Sequence, residues 1–219
     1  MMRAIAIDGP SASGKSTVAK LLADKLQMNY LDTGAMYRAI TLYVLNKGID
    51  PEEEGAVNGI LDEIELSVVD NRVKLNGEDV TDKIRTDEVD KAVSPVSSYG
   101  PVREMLVDMQ RKIASESSVI LDGRDIGTVV LPGAALKIFL TASPEVRAQR
   151  RMDDQKSSSH MDYDQMLEAV KRRDYFDSHR EISPLKAADD AVILDSSNMS
   201  LEQVLHKIES LWKERLCTL

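Results

Sequence analysis

Short apolar runs alternate along the chain with stretches whose apolar residues recur at helical spacing. Ala4 to Ile7, Val119 to Leu121, Leu136 to Leu140 and Ala191 to Leu194 read as buried strands, with a weaker run at Asn29 to Leu31. After the first run Val18, Leu21, Leu22 and Leu26 keep helical spacing, as do Val102, Met105, Leu106, Met109 and Ile113 before the second strong run. Strands that are apolar throughout need cover on both faces, and helices between successive strands supply it. The pattern therefore predicts an α/β fold with a parallel sheet.

The last helix carries Leu201, Val204, Leu205, Ile208, Leu211 and Trp212 on one side and is opened by Ser200 with Gln203 as a capping box. Asp50, Pro51 and Glu53 predict a similar start ahead of Val57, Ile60, Leu61 and Ile64. Between about residues 65 and 85 the pattern changes to short β-like runs, Leu66 to Val69 and Val73 to Leu75, broken by Asp70-Asn71 and Asn76-Gly77. Such dipeptides tolerate positive φ and favour hairpin turns, so a small antiparallel insert is expected on the α/β core. Ser157-Ser158-Ser159, flanked by Asp153-Asp154 and His160, reads as a loop.

Length and charge narrow the function. A chain of 219 residues fits one core with insertions. A formal net charge of -9 disfavours nucleic acid or an anionic membrane as partner, because both are bound through surplus Lys and Arg. Cys217 is the single cysteine, which leaves no internal disulfide, Cys-rich zinc site or embedded thiol nucleophile. Arg3 is followed by four apolar residues before Asp8, too few for a secretory signal, and no run approaches the roughly 18 apolar residues of a membrane span. A cytoplasmic location is expected.

Gly9-Pro10-Ser11-Ala12-Ser13-Gly14-Lys15-Ser16 satisfies G-x-x-x-x-G-K-S between a predicted strand and a predicted helix. In such a loop glycines permit the tight wrap and backbone amides point at phosphate oxygens. Lys15 would reach the β and γ phosphates, and the Ser16 hydroxyl can ligate Mg²⁺. A nucleoside triphosphate is the expected ligand.

The P-loop does not identify the acceptor; arginines bear on that. Arg173, Asp177 and Arg180 stand at i, i+4 and i+7 in a helix with Met166, Leu167 and Val170 as its apolar face and Asp162 with Gln165 as its cap. Arg147, Arg150 and Arg151 share a face on the helix that Ser143 and Pro144 would start; they read as a closing lid, against the alternative of a solvated face. At strand ends, where ligands sit in open α/β sheets, lie Asp32-Thr33-Gly34-Ala35-Met36-Tyr37-Arg38 and Asp122-Gly123-Arg124-Asp125. Each places an arginine near an acid, though an isolated one of these could cap a helix or form a surface pair.

At these residues the sequence resembles the bacterial cytidylate kinases, from Ala4 to the final helix. The resemblance rests on the P-loop with Thr17, on Leu31 through Arg38, on Asp122-Gly123-Arg124-Asp125-Ile126-Gly127-Thr128, and on Arg172-Arg173-Asp174 through Arg180. It implies a five-stranded parallel P-loop kinase core (about 1–62, 101–146 and 163–219), a monophosphate-binding insert with a small antiparallel sheet (about 63–100) and a helical lid (about 147–162). By position it implies Ser94, Arg103 and Asp125 at the cytosine ring, and Arg38, Arg124 and Arg173 at the acceptor phosphate. Asp177 with Arg180 falls at the sugar, and Thr33 among the CMP contacts. Cytosine offers an amine donor beside ring acceptors, which an Asp, a Ser and an Arg would recognise; uracil presents an acceptor where Asp125 wants a donor.

The expected reaction is phosphoryl transfer from ATP to CMP or dCMP with Mg²⁺, by a monomer. An acceptor phosphate is already anionic near pH 7, so no base is needed. Lys15, Arg124, Arg173, Arg151 and Arg147 are the expected catalytic cations, and Asp122 would hold magnesium through water. His160, His179 and His206 are scattered and suggest no metal. Two rivals stand: a P-loop kinase for UMP or a small hydroxylated metabolite, and a GTP-dependent switch. The switch lacks its N-K-x-D, since Asn46-Lys47-Gly48-Ile49-Asp50 has one residue too many and reads as helix stop and start.

Overall fold

A computed structural model describes residues 3–69, 71–153 and 161–218. Strand β1 (Ala4–Asp8) leads through the P-loop into helix α1 (Lys15–Leu26), and β2 (Asn29–Asp32) runs directly into α2 (Thr33–Asn46). A short α3 (Glu54–Asn58) precedes the hairpin strands β3 (Leu66–Val69), β4 (Arg72–Leu75) and β5 (Glu78–Asp79). Then come α4 (Asp87–Val96), α5 (Gly100–Glu116), β6 (Val119–Gly123), a π-helical turn (Ile126–Val130), β7 (Leu136–Thr141), α6 (Pro144–Asp153), α7 (Tyr163–His179), β8 (Val192–Asp195) and α8 (Leu201–Thr218).

The main sheet has five strands, all parallel, in the order β2-β6-β1-β7-β8. Central β1 is buried along its whole length, and its pleat divides the core. Ala4 and Ala6 face a cluster built with α2, α5 and the insert, while Ile5 and Ile7 face one built with α1 and α8. The insert forms the expected antiparallel sheet, β3-β4-β5, and Leu66, Val73, Leu75, Val80 and Ile84 join the first cluster. Asn71, Asn76 and Gly77 have positive φ, as the turn chemistry requires; Asp70 lies outside the described residues.

One element departs from expectation. Val57, Ile60, Leu61 and Ile64 do not share a helix: α3 stops at Asn58, and Leu61–Glu63 form a single 3₁₀ turn. Gly55 and Gly59 weaken the helix, and the Asp50 carboxylate accepts from the Glu52 amide as a turn instead of capping a longer run.

Both expected capping boxes form, Asp162 with Gln165 on α7 and Ser200 with Gln203 on α8. Ala148 packs against Met166 and Val170, joining α6 to α7. The expected lid tip, Ser157 to Met161, lies outside the described residues except for Met161. Among the described residues no helix is long and apolar enough to cross a membrane.

Candidate active site

Every strand of a parallel sheet ends on the same edge, and here that edge gathers the polar residues. The P-loop turns immediately after β1. Gly9 has φ +148°, and a Cβ there would come within 2.0 Å of the Leu140 carbonyl oxygen. Only glycine therefore lets the loop leave the sheet against β7. Gly14 caps α1 in the left-handed conformation with no side-chain cap, so the first amides of α1 remain available to an anion.

Three cations hold the loop's carbonyls, one from within the loop and two from α6. Lys15 Nζ donates to Pro10 O at 2.7 Å, Arg147 Nη1 to Ser11 O at 3.2 Å and Arg150 Nη1 to Ser13 O at 3.2 Å. Arg147 also donates to Ala142 O and forms a two-pronged pair with Asp174, at 2.9 and 2.5 Å. Of the predicted lid arginines, then, Arg147 and Arg150 brace the loop, and Arg151 reaches Ser11 Oγ at 3.4 Å.

Asp122, at the end of β6, ties together α1, β2 and α2. It accepts from Ser16 Oγ at 2.6 Å and from Tyr30 Oη at 3.0 Å, while its carbonyl accepts from Thr33 Oγ1 at 2.7 Å. Burial, and then the neighbouring Asp32, pushes the Asp122 carboxyl above the usual carboxylate range. Burial, and then the Arg124 guanidinium, pulls Lys15 below the usual lysine range. Thr17 lies exposed on the outer side of α1.

Arg38, Arg124 and Arg173 lie close together around Asp90 and Asp177. Arg124 Nε donates to Asp177 Oδ2 at 2.9 Å, and Arg173 is pulled down to about 10 by burial and by Arg124. Arg38 donates to Asp90 and to Ile84 O, and Arg173 Nη1 lies 3.9 Å from the same Asp90. Arg38 and Arg173 thus share Asp90, while Arg173 and Arg124 both act on Asp177.

Deeper in, Arg103 and Asp125 form a buried ion pair, with the Arg103 guanidinium over the Tyr37 ring at 5.5 Å. Arg103 also donates to Ser97 O at 3.1 Å. Ser94 sits one turn beyond Asp90 on α4. Arg180, aligned by spacing with Asp177, caps the end of α7, and its Nη2 approaches Asp125 Oδ1 at 3.8 Å. Asp8 positions this region by accepting from the Ile126 and Gly127 amides, each at 2.7 Å.

Sequence reasoning did not single out Asp8, Tyr30, Asp90, Arg150 or Asp174 in these roles. Their partners lie far away in the chain. Arg150 was read only as one of three arginines on a helix face and Asp174 only within the Arg172 to Arg180 motif, while for Asp90 the local sign is that Thr86 opens a helix whose Val89, Ala92, Val93 and Val96 keep core spacing.

The family model described as "Cytidylate kinase" matches residues 5–214. The chain is 51% identical over 213 residues to a cytidylate kinase of Mycobacterium leprae, covering 96% of each chain. It is 49% identical over 209 residues to one of Bacillus pumilus, covering 93% of each. Among solved structures, a shikimate kinase from Bacteroides thetaiotaomicron matches with TM-score 0.53 at 13% identity, covering 97% of this chain and 99% of that one. A gluconokinase from Sinorhizobium meliloti 1021 matches with TM-score 0.51 at 14% identity, covering 97% of this chain and 93% of that one. These two likenesses concern the fold.

Proposed function

The chain belongs to the cytidylate kinase family, and from that premise we propose how its site transfers the terminal phosphoryl group of ATP to CMP, forming CDP and ADP. The enzyme is a nucleoside monophosphate kinase. The observation that carries the reading is that Arg151 joins the P-loop to the arginine cluster, reaching Ser11 Oγ with one nitrogen and Asp90, which Arg38 and Arg173 share, with another. Cations crowded in this way are stabilised when two anions come between them.

In this reading the P-loop amides and Lys15 hold the β and γ phosphates, and Arg38, Arg124 and Arg173 hold the phosphate of CMP. The bond from the γ phosphorus to the ADP oxygen breaks as a bond from a CMP phosphate oxygen forms. No base is required, because the attacking oxygen carries no proton near pH 7. Arg147 and Arg150 keep the loop's carbonyls turned outward, and Arg151 extends the cationic edge toward Ser11. Arg103, Asp125 and Ser94 read the cytosine ring, Asp177 and Thr33 line the way to it, and Arg180 supports Asp125.

Magnesium fits the donor set: the Ser16 hydroxyl and the Asp122 carboxylate are hard oxygens 2.6 Å apart. Those two residues would hold it, Asp122 through water. When bound, the ion neutralises phosphate charge as it builds on the bridging oxygen.

The proposed acceptors include dCMP as well as CMP. A cytoplasmic monomer is proposed alongside. ADP formation measured with CMP, dCMP, UMP, AMP and shikimate tests the assignment. Turnover is expected with CMP and dCMP; turnover with another acceptor but none with CMP would overturn it.

A further inference from the structure

Asp90 stands in the first turn of α4, yet its carboxylate faces arginines from three other helices. Oδ1 accepts from Arg38 of α2 and lies 3.9 Å from Arg173 of α7, while Oδ2 accepts from Arg151 of α6. These side chains are largely withdrawn from water: Arg38 is 14% exposed, Arg173 19%, Arg151 27% and Asp90 24%. Three guanidinium groups this close repel one another, and a single carboxylate offsets that repulsion in part. Arg173 Nε nevertheless stays buried with no hydrogen-bond partner among the described residues, a donor that the two-oxygen carboxylate does not satisfy.

We propose that Asp90 is a built-in competitor for the acceptor phosphate: its carboxylate occupies Arg38 and Arg173, two of the guanidinium groups that the incoming phosphate claims, and so sets the affinity for the acceptor. The proposal rests on the reading of Arg38 and Arg173 as phosphate ligands. A phosphate group carries more charge and one more oxygen than a carboxylate, so it can win the exchange and also engage the spare Arg173 donor. The net affinity is the difference between the two sets of contacts. Displaced, Asp90 is still favourably placed, because the first turn of α4 stabilises negative charge through its aligned peptide dipoles.

Removing the competitor while keeping its shape should therefore tighten binding of phosphate-bearing ligands alone. Calorimetric titration of CMP, inorganic phosphate and cytidine into wild type, Asp90→Asn and Asp90→Ser tests this. For both variants the expected result is a fall of about tenfold in the dissociation constants of CMP and phosphate, with a lower KM for CMP and unchanged cytidine affinity. A residue that merely orients the arginines would give the opposite sign, with weaker CMP binding and a raised KM. Equal or weaker CMP binding in the folded variants overturns the proposal. So does failure of both variants to fold, which would make the carboxylate an indispensable counter-ion. Absence of CMP turnover in wild type would instead strike the functional reading, which the same assay reports separately.

Discussion

Ser16 donates its hydroxyl to the Asp122 carboxylate across 2.6 Å, joining the first turn of α1 to the end of β6. Because Tyr30 holds the second oxygen of the same carboxylate, Asp122 keeps a fixed orientation beside the place where the triphosphate's metal is proposed to sit.

Asp122→Asn keeps the side chain's size and removes its charge. Loss of such an orienting partner costs about 10- to 100-fold in metal affinity, so the magnesium concentration giving half-maximal ADP formation should rise by that factor. An unchanged magnesium titration would exclude Asp122 from this role.

Asp8 lends itself to a test by pH. Burial raises its pKa from 3.8 to about 6, against the lowering effect of two backbone amides. Between those values the native state binds the proton that the unfolded chain releases, so stability falls as pH rises through the window. The stability advantage of wild type over Asp8→Asn should shrink by about 3 kcal/mol between pH 4 and pH 6, then stay level. Urea unfolding of both proteins across that range measures it; parallel pH profiles would contradict the burial effect.

How much of this was legible beforehand follows from the distance between partners. The P-loop turn, the positions of the five strands and both capping boxes obey rules that operate within a few residues and stand as read, but the run Ala191 to Leu194, read as buried, forms the edge strand β8 with Ile193 66% exposed. The stripe Val57, Ile60, Leu61 and Ile64 misled, because helical spacing survived where Gly55 and Gly59 had weakened the helix itself. Arg147 was readable as a cation on a helix face, but its partners Asp174 and Ser11 lie 27 and 136 residues away. Asp90 shares that difficulty, being 52 and 61 residues from Arg38 and Arg151. Arg180 followed the helical face of Asp177 by spacing, yet α7 ends at His179, and the capping residue's side chain comes up beside Asp125.

Gly9 and Gly48 both hold positive φ, which makes them a matched pair. At Gly9 an added Cβ would overlap the Leu140 carbonyl oxygen at 2.0 Å, whereas at Gly48 nothing among the described residues lies within 4 Å. Gly48→Ala should cost about 1 to 2 kcal/mol, the conformational penalty alone. Gly9→Ala should cost at least about 3 kcal/mol and abolish ATP binding, because backbone must move to relieve the overlap. Denaturant melts and nucleotide titration of the two variants check this; similar losses in both would mean that the β7 contact yields easily.

Arg124 Nε binds Asp177, and its charge lowers the proton affinity of Lys15. In Arg124→Ala the acceptor phosphate loses a guanidinium, and turnover with CMP should fall by about 10² to 10³, the usual loss when one charge-stabilising donor is deleted. Lys15, relieved of a neighbouring cation, should hold its own proton more firmly, so ATP affinity should stay intact or improve. Arg124→Lys should recover only part of the rate, because one ammonium cannot bind Asp177 and clamp a phosphate with planar geometry together. Steady-state rates with CMP beside direct ATP titration separate the two effects, and an equal loss in both would place Arg124 on the triphosphate side instead.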